Sequence, residues 1–70
     1  MIDWSKLKTA VHDAEIAVRA QRNQLLADSD WTQVVDAPVD QAAWAEYRQA
    51  LRNIPQQSGF PLSVDWPDRP

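Results

Sequence analysis

The sequence predicts an all-α fold: a two-helix hairpin with an extended C-terminal tail packed back on it. Three observations carry that expectation. From Trp4 to about Ala27 there is no glycine or proline, and Ala, Leu, Gln, Arg and Lys are frequent, which favours one long helix. Trp44, Tyr47, Leu51 and Ile54 recur at three- and four-residue steps before Pro55, the signature of a second helix with one apolar stripe. Residues 60–67 then alternate apolar and polar, with prolines that suit extended chain better than a central strand.

The first helix is expected over about 3–27. Asp3 is placed to cap it, and Ile2 to staple to Leu7. Leu7, Val11, Ala14, Val18, Gln21 and Leu25 form a narrow heptad-like seam, widened by Trp4, Ala10, Ala17 and Leu26. Ile16 falls on the far side, as a stray exposed residue or a second contact. Glu15 and Arg19 are spaced for an exposed ion pair. The helix should end near Asp28, because acidic residues are unfavourable at a helix C-terminus and Asp28-Ser29-Asp30 is turn chemistry. A loop over 28–39 follows, pinned by Trp31 with Val34 or Val35 turned inward.

Asp40 is the expected N-cap of the second helix, about 40–54, with Val39 and Trp44 at the spacing of a hydrophobic staple. Glu46, Arg48, Gln49, Arg52 and Asn53 fall off the apolar stripe, towards solvent or a partner. Pro55 stops the helix, since it lacks an N–H and disfavours the α conformation at Ile54. The first helix is about ten residues longer than the second, so one end of it needs cover. The tail, 55–70, is placed to supply it, with a turn at 56–59 and Phe60, Leu62, Val64 and Trp66 lying along the hairpin.

A chain of 70 residues is one small helical domain at most, near the lower end of independent stability. Two helices bury little surface. Either four tryptophans and the tail complete the core, or the hairpin dimerises into a four-helix bundle. No cysteine is present, which excludes disulfides and thiolate metal sites. The net charge of −3 argues against general nucleic-acid or anionic-membrane binding. No apolar run is long enough for a membrane span and no signal peptide is apparent, so a cytoplasmic location is expected. Catalysis is not expected either. His12 is the only histidine, Asp13 and Glu15 do not share a helix face, and the single glycine cannot build a phosphate loop. Neither a cofactor nor a metal is expected.

Three segments together resemble a known family. They are Leu25-Leu26-Ala27-Asp28-Ser29-Asp30-Trp31-Thr32, then Trp44-Ala45-Glu46-Tyr47-Arg48-Gln49-Ala50-Leu51-Arg52-Asn53-Ile54-Pro55, then Gly59-Phe60-Pro61 with Val64-Asp65-Trp66-Pro67 and a closing Pro70. The set is similar to the phage tail assembly chaperone family, and to the C-terminal segment of larger phage tail-fibre assembly proteins. It spans residues 19–70. The larger proteins carry a separate N-terminal domain, where this chain has one helix. The resemblance implies the product of a phage or prophage tail gene cluster that binds a tail or tail-fibre protein during assembly in the bacterial host cytoplasm. It implies no enzymatic activity and offers no catalytic residues. A small structural subunit retained in the virion is the alternative.

Trp44, Tyr47, Arg48, Arg52, Phe60 and Trp66 are the candidate partner-binding residues. Trp31, Trp44, Tyr47 and Trp66 read first as core, and second as an interface patch, where Trp and Tyr are common hot spots. Arg48 and Arg52 read first as a solvated face. The other reading is an arginine pair that grips a partner's carboxylates or the loop acids Asp28, Asp30 and Asp36.

Overall fold

The computed structural model describes the chain from Trp4 to Pro70, and side-chain surroundings from Lys8 onward. Ile2 and Asp3, and with them the expected cap and staple to Leu7, lie outside the described residues, and so do the side-chain surroundings of Trp4. Two helices make the frame, α1 at Trp4–Ser29 and α2 at Gln41–Arg52. Single 3-10 turns follow each, at Asp30–Gln33 and Ile54–Gln56, and no strand occurs among the described residues.

α1 runs to Ser29, past the expected stop. Its last carbonyls are satisfied by side chains rather than left to a turn. The Ser29 hydroxyl is shared between the carbonyls of Leu25 and Leu26, at 2.9 and 3.2 Å. The Thr32 hydroxyl donates to the Ser29 carbonyl at 2.6 Å. A guanidinium nitrogen of Arg48, on α2, reaches the Leu26 carbonyl at 2.6 Å. A positive group at the negative end of a helix offsets the acidic residues there.

The turn after α1 corrects the sequence expectation. The expectation is Trp31 inward with Val34 or Val35 beside it, yet Trp31, Val34 and Val35 are 52%, 57% and 90% exposed. Thr32 is fully buried instead, and Ser29 nearly so. The reason is the period of the backbone. An extended segment alternates faces, but a 3-10 turn repeats every three residues, so Ser29 and Thr32 share the inner face. The loop is fastened by glutamines. Gln41 donates from its side-chain amide to the Val34 carbonyl, and Gln33 donates to the Gln41 carbonyl at 3.4 Å.

Asp40 caps α2 as expected, accepting from the Ala43 amide at 3.1 Å. Tyr47, Leu51 and Ile54 are buried and make the core, with Val18, Leu25 and Leu26 of α1 against them. α2 ends at Arg52, two residues short of the expectation. Pro55 sits inside the following 3-10 turn, which closes through Gln56 N–H to Asn53 and Gln57 N–H to Ile54, at 2.9 and 3.1 Å.

The tail is more turned than its alternation suggests. Phe60–Pro61 is a cis bond, and the Ser63 amide donates back to the Gly59 carbonyl at 2.8 Å. A Cβ at Gly59 would meet the Ser63 oxygen at 2.6 Å, so this close approach needs glycine. Phe60, Val64 and Trp66 pack on the core, whereas Leu62 is exposed. Gln57 clasps the tail with both ends of its amide. It donates to the Asp65 carbonyl and accepts from the Asp65 amide, each at 2.8 Å.

Phe60 lies 5.4 Å from the Arg19 guanidinium, and Arg69 lies 5.7 Å from the Trp44 ring. The tail therefore runs back from the middle of α1 towards the start of α2. The described N-terminal part of α1, residues 8–17, which the tail is expected to cover, is largely open to solvent: Ala10, His12, Asp13, Ile16 and Ala17 are exposed and Val11 and Ala14 half-buried. The molecule is consequently long and thin, 58 × 18 × 13 Å.

Candidate functional site

The most constrained chemistry sits where α2 crosses the end of α1. Tyr47, Leu51 and Ile54 anchor one face of α2, and the same packing turns Arg48 inward, to 8% exposure. Its guanidinium donates to the Leu26 carbonyl at 2.6 Å, the Ser29 hydroxyl at 2.8 Å and the Asp30 carboxylate at 2.6 Å. A planar fork reaches three acceptors that a lysine would serve less well. Asp30 is 68% exposed at its side chain, so water screens that ion pair. The bonds to the two interior acceptors carry more of the energy. Arg48 thus follows the second of the two readings for the arginines, with Asp30 as its carboxylate.

Trp44 stands beside this junction. Tyr47 meets it edge-on at 5.6 Å, Trp31 lies tilted at 6.4 Å, and Arg69 sits over its ring. Such pairs add about 0.5–1.5 kcal/mol beyond the area they bury. Leu25, Asp28, Ser29, Trp44, Tyr47 and Arg69 enclose a small cleft there. Further along, Phe60 lies under Arg19, which also pairs with Glu15 at 3.0 Å as the spacing predicted.

The six residues expected to meet a partner divide into three groups. Tyr47 and Arg48 are buried. Trp44, Phe60 and Trp66 are half-buried, each with one side on the core. Arg52, one turn after Arg48, is exposed. The structure brings Trp44, Tyr47 and Arg48 together at the loop end of the hairpin, with Phe60 further along the tail.

Ser29, Thr32 and Gln57 hold the arrangement and were not singled out beforehand. The three-residue step from Ser29 to Thr32 is a visible signal for a 3-10 face. Gln57 carries none, because its partner is backbone eight residues away. Among the described residues no three His, Asp or Glu side chains are grouped to hold a metal ion, and no helix is long and apolar enough to cross a membrane. What the surface offers is aromatic and apolar area together with exposed charged side chains.

Comparison with known proteins agrees with the three-segment resemblance. The sequence model of the phage tail assembly chaperone protein family matches residues 15–70. No curated protein and no solved structure matches the chain. The matched span begins just before Val18, the first side chain of α1 in the core cluster among the described residues, so it contains the helix junction, both turns and the tail. The chain belongs to the phage tail assembly chaperone family.

Proposed function

We propose that this chain is a non-enzymatic chaperone that binds a phage tail or tail-fibre protein in the bacterial host cytoplasm while the tail is assembled. The family match over residues 15–70 carries the reading. The surface supports it, because Trp44, Phe60 and Trp66 each keep part of a large apolar side chain in water, and Arg52 is exposed. Aromatic and arginine side chains are the usual anchors of protein interfaces. In this reading Trp44, Phe60, Trp66 and Arg52 touch the tail protein. Tyr47 and Arg48 act behind them by holding α2 on α1.

Co-expression with the tail-fibre gene of the same cluster tests it. A gain in soluble, trimer-sized fibre over the fibre gene alone is the expected result. No gain from a folded chain, together with its presence in purified particles, would replace the chaperone with a structural subunit of the virion.

A further inference from the structure

The turn between the helices carries a surface that neither the core nor the partner residues above account for. Trp31, Val34 and Val35 are three large apolar side chains within five positions, and all are more than half exposed. Trp31 continues into Trp44 through their ring contact. Isolated exposed apolar residues are ordinary, but a contiguous patch of them marks an interaction site. The patch is also held in place. The Val34 carbonyl accepts from the Ala37 amide at 3.0 Å and from the Gln41 side chain, and the Val34 amide donates to Trp31 at 3.3 Å.

Charge identifies the occupant. Between Arg22 and Arg48 the chain has no lysine or arginine, but it has Asp28, Asp30, Asp36, Asp40 and Glu46. All five are exposed, and four of them lie on the turn and its two shoulders. Only Asp30 has a basic partner, Arg48, among the ion pairs of the described residues. An apolar patch with exposed carboxylates on the turn and both its shoulders fits an apolar segment flanked by lysine or arginine, even with Arg69 over the neighbouring Trp44 ring. A second copy fits poorly. Its uncovered α1 face, from Lys8 to Glu15, brings one lysine against two carboxylates, and the whole chain carries −3.

We infer that the turn presenting Trp31, Val34 and Val35 is a docking surface for a cationic, apolar segment of the assembling tail protein. The proposal rests on the chaperone reading for the partner's identity, and on the patch and its charge for the partner's chemistry. Two synthetic peptides with one Leu/Phe core test it, one flanked by lysines and the other by glutamates. The isotope-labelled chain is titrated with each and followed by NMR. The lysine peptide should move the Trp31 indole signal and the amides of 33–36, and bind more tightly by about tenfold or more. Raising salt well above physiological strength should weaken it. The Val34→Ser, Val35→Ser double variant should keep its helices, since both side chains are in water, and lose the binding.

Equal binding of the two peptides, shifts centred on residues 8–17, or unchanged binding by the double variant would each overturn the proposal. So would a dimer in sedimentation that the double variant dissolves, which assigns the patch to a second copy. Co-expression separates the two claims. If the parent chain and the double variant rescue the tail protein equally, the chaperone reading stands and this surface falls. If neither rescues it while the lysine peptide still binds at the turn, the surface stands and the chaperone reading falls.

Discussion

The two halves of α1 share one helix but live in different surroundings. From Val18 to Ser29 the helix packs on Tyr47, Leu51 and Ile54, and its last turn is gripped by Arg48. From Lys8 to Ala17 no side chain belongs to the core cluster, and Ile16 is 55% exposed. Composition scarcely separates them, since both are rich in alanine and both carry seam residues. What separates them is the length of the partner. A 12-residue α2 spans about 18 Å, against about 39 Å for the 26 residues of α1. Helix propensity sets how far the backbone stays helical, and the shorter neighbour sets how much of it is packed.

That contrast can be broken most severely at Leu51, which is fully buried between the packed half of α1 and the tail. Leu51→Ala should cost about 2–5 kcal/mol. Urea denaturation followed by circular dichroism measures it, and amide exchange at 18–29 should rise to match 8–17. Arg48→Met comes next. It leaves the Leu26 carbonyl and Ser29 hydroxyl short of a donor, a loss of about 2–3 kcal/mol. Arg48→Lys should recover only part of it, because the fork geometry is lost. Asp40→Ala removes the cap on the Ala43 amide and should cost about 1 kcal/mol in the same denaturation experiment. The smallest effect belongs to the uncovered half: Ile16→Ser should change stability by less than about 0.5 kcal/mol. A larger loss there would mean that this face is packed in solution.

Much of the fold was legible because it rests on local backbone chemistry. Asp40, the four-three spacing of Trp44, Tyr47, Leu51 and Ile54, and the break at Pro55 located α2 to within two residues of its end. The gap without glycine or proline located α1. The interhelical turn was misjudged because Trp31-Thr32-Gln33-Val34-Val35 reads equally as an extended or a 3-10 segment, and the two put different side chains inside. Hydrophobicity favoured burying the tryptophan and one of the two valines. The two hydroxyls won, because Ser29 and Thr32 satisfy helix-end carbonyls that would otherwise lie unpaired in the interior. The candidate site was legible as a set of residue types and less so as a surface, since the stripe that placed Tyr47 in the core also left Arg48 looking solvated.

By itself the sequence determined the two helices, the Asp40 cap and the helix order, and the three-segment pattern that the family match shares, because those depend on residues a few positions apart. Only the tertiary structure decided that Arg48 turns in while Arg52 stays out. It also decided that Gln57 clasps Asp65, that the tail returns to Trp44, and that the turn faces water with its apolar side chains. The physical reason is separation along the chain. Arg48 meets acceptors 18, 19 and 22 residues away, and no periodicity within one helix reports what a second helix will bring against it.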